Sequence, residues 1–239
     1  CPEEAVAFSE DISAAESRPG TQPAVDPDAL KLLLRERRSV RLFTEEPVSK
    51  SELDKILDAG RYAPSACNSQ NVNYLVLPDR GKVDELRSLL DVFLDRVFRR
   101  IDNRLVAFLF SLKYGRASLD VLRSYSFLFR LRREDWEKCS YVFLPHGPAV
   151  IVACAPSSDT MAPTNCAVSL YNCSLMAHSL GLGACFLGSL HLAANADRKI
   201  GRWLRIPDKQ RCYGAIIVGH PDVVYRRLPE RHTPRIDWL

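Results

Sequence analysis

Apolar residues recur at intervals of three and four along most of the chain, interrupted by a few short runs of a different period. Asp26, Pro27 and Asp28 stand ahead of Leu30, Leu33 and Leu34. An N-cap, a first-turn proline and an acidic first turn predict a helix that runs to about Arg37. Ser49 and Glu52 form a capping box before Leu53, Ile56 and Leu57, so a second helix starts there and ends near Gly60 or Pro64. Val83, Leu86, Leu90, Phe93, Val97 and Ile101 predict a long amphipathic helix, and a further helical stretch covers about Ser118 to Leu131. Cys166, Leu170, Cys173, Ala177 and Leu180 repeat in the same way, with Gly181 as C-cap. On that packed face the two cysteines read as small hydrophobes rather than ligands.

Four runs break the helical period. Asn73 to Leu77 is short and β-like, Ala149 to Ala155 is continuously apolar as a buried strand is, and Ala184 to Leu187 and Tyr213 to Val218 complete the set. Helices and strands mix without a strict β-α-β alternation, and no internal repeat is present, which predicts an α+β fold. No stretch of about 18 apolar residues is free of charge, so a membrane-spanning helix is not expected. Before Val25 the chain is rich in Ser, Glu, Gly and Pro, with no apolar period between Asp11 and Pro23, and reads as a linker.

Composition narrows the class further. The 239 residues are 46% hydrophobic and 26% charged, which excludes a disordered, collagenous or disulfide-scaffold chain. Eight scattered cysteines, several inside apolar runs, read as reduced thiols of a cytoplasmic protein. Net charge is only +4, but Arg80 to Arg133 holds 13 Lys and Arg against 6 Asp and Glu, so that stretch carries +7. It reads first as a solvated helical face and second as a basic rim that attracts a phosphate-bearing nucleotide. Nucleic acid is not expected as a partner, because no groove-reading motif accompanies the charge.

Three places carry candidate chemistry. Arg37-Arg38-Ser39-Val40-Arg41 concentrates guanidinium forks and a hydroxyl at a helix end, where they either complement the helix dipole or clamp a phosphate. Ala63-Pro64-Ser65-Ala66-Cys67-Asn68-Ser69-Gln70 is dense in neutral donors and acceptors, which recognise uncharged heteroatoms or hold turns. Gly181-Leu182-Gly183-Ala184-Cys185-Phe186-Leu187-Gly188 lets backbone approach a flat ligand, and its spacing is not that of a dinucleotide-binding fingerprint.

In this order and spacing, from about Asp26 to Leu239, the three segments resemble the nitroreductase family of flavoproteins. Gly219-His220-Pro221 and Arg227-Leu228-Pro229-Glu230-Arg231 resemble the end of the subgroup that carries an N-terminal ferredoxin domain. Cys1-Pro2 then matches the last cysteine of a [4Fe–4S] run, so residues 1–25 read as the remnant of that domain plus a linker, and 26–239 as the FMN-binding domain.

The resemblance implies a sandwich of a central mixed or antiparallel sheet flanked by helices, forming an intertwined homodimer with FMN at its interface. It implies that Arg37, Arg38 and Ser39 hold the phosphate, with Arg231 as the later contributor and Arg227 as the fallback. Arg41 would face the pyrimidine side of the flavin, Asn68 would bond the ring, and Pro64, Ser65 and Gln70 would shape its pocket. The Gly188 N–H would point toward N5 with Leu187 beside it, and Cys1 would be a cluster ligand. No catalytic side chain is assigned, because the flavin carries the chemistry. His178 reads as structural, and His146, in the loop before a buried strand, as a residue able to approach a substrate.

The chain departs from the family pattern after Gln70, where Asn71-Val72-Asn73 stands in place of Pro-Trp. The expected function is reduction of an electron-poor organic acceptor (a nitro compound, quinone or enone) with electrons from NAD(P)H or from an iron–sulfur donor such as a ferredoxin. The runner-up is a flavin-binding electron relay without a substrate of its own.

Overall fold

The computed structural model describes residues 25–131 and 143–239. Cys1 and nearly all of the linker lie outside them. Helix α1 (Pro27–Glu36) starts where the capping signals put it, with the Asp26 carboxylate accepting from the Ala29 N–H at 2.9 Å. Helix α2 (Lys50–Arg61) carries the complete Ser49/Glu52 capping box. Strand β1 (Asn73–Leu77), helix α3 (Arg80–Ile101), helix α4 (Arg104–Tyr114), helix α5 (Arg116–Leu131) and strand β2 (Ala149–Pro156) follow. Then come α6 (Ala162–Ser179), β3 (Gly183–Phe186), α7 (Gly188–Ala196), α8 (Arg198–Trp203) and β4 (Gln210–Gly219). Helix α4 is additional to the sequence reading: Asn103 caps it and Gly115 ends it, but its apolar residues do not gather on one buried stripe, so periodicity alone leaves it unmarked.

The four strands form one antiparallel sheet in the order β1-β2-β4-β3. Helices cover both faces. On one side α3, α7 and α8 pack Leu86, Leu90, Leu94, Leu190 and Ile200 against Val150, Val152, Ala215 and Ile217. On the other, α2 and α6 pack Leu53, Ile56, Cys166, Leu170, Cys173 and Ala177 against Ile151, Ala153, Ile216 and Val218. Burial on both faces explains why β2 is apolar at every position although its neighbours run antiparallel to it. Cys166 and Cys173 are fully buried, and burial pushes each thiol up to about 12, so both behave as core residues. Between Ala153 and Cys154 the β2–β4 register shifts, and the Asn195 side chain closes the irregularity, donating to the Cys212 carbonyl at 2.6 Å and accepting from its N–H at 3.2 Å.

None of the helices among the described residues is long and apolar enough to cross a membrane.

Candidate functional site

The basic segment leaves α1 and lies along the free edge of β3. Ser39 pairs in parallel with Ala184, and the Val40 N–H donates to the Ala184 carbonyl at 3.1 Å. Val40 is buried, and it occupies the space that a side chain at Gly183 would need: a Cβ there would sit 2.6 Å from the Cβ of Val40. Beyond it, Thr44 donates to the His220 carbonyl at 2.9 Å and Asp222 donates to the Leu42 carbonyl at 2.9 Å, so the chain after β4 is stitched to the same segment.

The arginines then fan out. The Arg37 guanidinium stands 5.8 Å from the Tyr171 ring centroid, and its Nε is buried with no hydrogen-bond partner. Arg38 stacks 5.1 Å from the Tyr225 ring and donates to the Arg227 carbonyl. Arg41 donates to the Ser39 carbonyl at 3.3 Å. Arg41, Ser39 and Arg37 act on Cys185, whose thiol is pushed up by burial while Arg41, a hydrogen bond with Ser39 and Arg37 oppose that shift.

At the end of β3 the Leu187 N–H makes the last sheet bond, to the Ala215 carbonyl at 2.9 Å, and the chain turns into α7 at Gly188. No side chain caps this helix start, Gly188 is exposed, and a Cβ on it would meet nothing within 4 Å. Uncapped first-turn N–H groups and Arg41 on the neighbouring segment favour negative charge on a ligand seated there. The adjoining wall is the chain entering β2. Ser189 holds the Phe143 carbonyl at 2.7 Å, and the buried Arg87 holds the Leu144 and Pro145 carbonyls at 3.2 and 2.8 Å. His146 follows on this stretch, its Nδ1 3.9 Å from Asp84, and burial together with Arg87 lowers its pKa.

The 63–70 segment is a tight turn built from left-handed backbone. Cys67, Asn68 and Gln70 have φ of 53°, 53° and 46° without being glycine. Ser65 holds the turn by accepting from the Gln70 N–H at 3.0 Å through its hydroxyl, and buried Asn165 on α6 accepts from the Ala66 N–H at 3.2 Å. Pro64, Ser65 and Gln70 line a cavity of about 490 Å³ with Tyr74, Asn165 and Ser169, and Asn68 is exposed at the tip of the turn.

The structure thus brings the 37–41 and 183–188 segments into contact. Among the described residues no hydrogen bond joins the 63–70 turn to either of them. Arg227 meets the basic cluster through its backbone, whereas Arg231 lies on the exposed tail and makes no hydrogen bond or ion pair among the described residues. His178 sits 4.0 Å from Glu36 near the end of α6. Sequence reasoning missed Tyr171, Tyr225, Asn165 and Arg87. Asn165 and Ser169, four apart in an apolar helix, were the one visible signal; the two tyrosines and Arg87 reach their partners only through tertiary contacts.

Comparison with known proteins agrees with this architecture. A model described as the nitroreductase family matches residues 34–220. The FMN reductase (NAD(P)H) of Bacillus subtilis strain 168 is 22% identical over 188 residues, covering 79% of this chain and 64% of that protein, so the chain spans just under two thirds of that relative's length. A nitroreductase with bound FMN from Bacteroides fragilis NCTC 9343 superposes with a TM-score of 0.63 at 20% identity, covering 87% of this chain and 98% of that one. Another with bound FMN, from Desulfitobacterium hafniense DCB-2, does so at 0.62 and 20% identity, covering 90% and 100%. With the family model matching most of its length, the chain belongs to the nitroreductase family.

Proposed function

We propose that the chain is an FMN-dependent oxidoreductase that takes electrons from NAD(P)H and passes them to an electron-poor organic acceptor. The observation that carries this reading is the buried, unpartnered Nε of Arg37 beside Ser39 and Arg41, one strand away from the open backbone at Gly188. A buried guanidinium nitrogen without an acceptor is costly, and an anionic oxygen from a cofactor phosphate relieves that cost. Arg37, Arg38 and Ser39 hold the phosphate, with Arg231 as the later contributor and Arg227, whose carbonyl accepts from Arg38, as the fallback. Arg41 and the uncapped start of α7 stabilise negative charge on the reduced ring. Gly188, lacking a side chain, and Leu187 leave the backbone free to meet the flat cofactor.

Bound FMN supplies the redox chemistry, accepting two electrons from one partner and yielding them to another. The chain's own contribution is binding, orientation and charge, and no side chain is required as acid or base.

The 63–70 turn reaches the cofactor from a second copy of the chain. This is supported by the lack, among the described residues, of any hydrogen bond between it and the other two segments, and by the exposure of Asn68 and of most of the tail from Val224 to Trp238. An iron–sulfur protein is the alternative reductant, supported by the resemblance of the 219–231 segments to the ferredoxin-linked subgroup and by Cys1-Pro2.

The test is titration of flavin-stripped protein with FMN alongside sedimentation velocity. Tight stoichiometric binding by a dimer is expected, and a folded chain that ignores FMN would overturn the reading.

A further inference from the structure

Three successive peptide carbonyls of the chain entering β2 are held by side chains from two different helices. Ser189, the second residue of α7, donates to the Phe143 carbonyl at 2.7 Å. Arg87, in the first half of α3, donates through Nε to the Leu144 carbonyl at 3.2 Å and through a terminal nitrogen to the Pro145 carbonyl at 2.8 Å. Its other terminal nitrogen bonds Asp84, one turn earlier on the same helix. All three guanidinium nitrogens are thus engaged within one chain. Arg87 is only 7% exposed, so these contacts do not depend on which faces a second copy covers.

The charge itself is a poor source of stability. Desolvation pulls the Arg87 pKa below its ordinary value, although Asp84 and Asp91 oppose that shift, and a buried ion pair gains little over an uncharged core. A guanidinium is suited instead to geometry, because its planar fork grips two neighbouring acceptors at once and a lysine ammonium does not. The run that it grips leads directly to the candidate site. Phe143 precedes Leu144 in the chain, its carbonyl is bonded to Ser189, and Ser189 follows Gly188. From the other side the Leu187 N–H is held by the Ala215 carbonyl at 2.9 Å, and no side chain caps α7. The Leu187–Gly188 turn is therefore fixed between the sheet and α3. We propose that Arg87 is a positioning residue for this turn, acting through the 143–145 peptides and Ser189. The inference rests on the proposed function in one respect, the assignment of the turn to the flavin; the clamp itself belongs to the folded chain.

The test compares Arg87→Lys, which keeps the charge and loses the fork, with Ile56→Val, a destabilising change on the opposite face of the sheet. Hydrogen exchange of the flavin-free chains is read at the Leu187 and His191 amides, which donate to the Ala215 and Leu187 carbonyls, relative to the Ile216 and Ile217 amides of the central strand β4. Relative exchange at the two site amides should rise about tenfold in Arg87→Lys and stay unchanged in Ile56→Val. With FMN bound, Arg87→Lys should keep close to wild-type affinity for the cofactor while the rate of flavin reduction at saturating nicotinamide falls about tenfold. If Arg87→Lys fails to fold, Ser189→Ala decides, because it cuts the same line of contacts at its last bond and should reproduce the selective exchange. Exchange that is no more selective in Arg87→Lys than in Ile56→Val, an unchanged reduction rate, or a loss of FMN affinity as large as the loss of rate would each overturn the proposal. A wild-type chain that ignores FMN or nicotinamide would end the cofactor reading, and the exchange comparison would still decide the clamp.

Discussion

The backbone N–H of Val40 donates to the carbonyl of Ala184 at 3.1 Å, and this bond lays the basic segment against the edge of β3. It sets Ser39 opposite Ala184 and brings Arg41 close to Cys185, two residues before the chain reaches Leu187. Residues almost 150 positions apart thereby share one side of one strand.

Replacing Gly183 should break that arrangement. A Cβ at this position falls 2.6 Å from the Cβ of Val40, within the buried packing of the segment, so Gly183→Ala must push Val40 outward. Overpacking of this kind costs about 1–3 kcal/mol. Chemical denaturation should show the loss, and FMN retention should fall with it.

Arg37→Ala removes the guanidinium whose Nε lacks a partner. A charge-assisted bond to a phosphate contributes about 1.5–3 kcal/mol, so FMN should bind at least about tenfold more weakly. The variant should fold normally, since no partner atom in the chain is left unsatisfied by the change. Fluorescence titration measures the affinity, and an unchanged value would remove Arg37 from the site.

Gly188→Ala separates cofactor binding from folding. Its Cβ meets no atom of the chain within 4 Å, so stability should stay within about 0.5 kcal/mol of wild type. The added methyl stands in the space assigned to the flavin, and FMN affinity should drop by about tenfold. Thermal melting of the flavin-free proteins and FMN titration of both give the two halves of this comparison.

Asp91 predicts a pH effect. Burial pushes its carboxyl from 3.8 up to about 6, with Arg87 opposing. The folded chain therefore keeps a proton that the unfolded chain has already released, so this group's contribution to stability is greatest below about pH 4 and is lost as pH rises through about 6. Asp91→Asn should stabilise the protein at pH 7.5 by about 1 kcal/mol, allowing for partial exposure, and by nothing at pH 3.5. Urea midpoints at the two pH values check it.

Much of the fold was legible because its signals are local. The Ser49/Glu52 box, the Asp26-Pro27-Asp28 start and the uninterrupted apolar run of β2 each declare an element within a few residues. Helix α4 was not legible, since its apolar residues face outward and break the amphipathic rule. The three chemical segments were visible as segments, but which of them touch is decided by strand order. The sheet brings the Ala184 edge to Ser39, whereas the 63–70 turn is bonded to the start of α6. Arg231 and Arg227 are both arginines on an irregular tail, and the Arg38 bond reaches only the backbone carbonyl of Arg227.

Anaerobic rapid mixing of the FMN-loaded protein with NADPH or NADH, followed by a second mix with a nitroaromatic or quinone, separates the two half-reactions of the proposed oxidoreductase. The visible flavin band should bleach on the first mix at a rate that saturates with nicotinamide, then return on the second with one acceptor reduced per two electrons. A flavin that neither nicotinamide can bleach, or that stays reduced in the presence of every such acceptor, would rule out electron transfer from NAD(P)H to an organic acceptor by this protein.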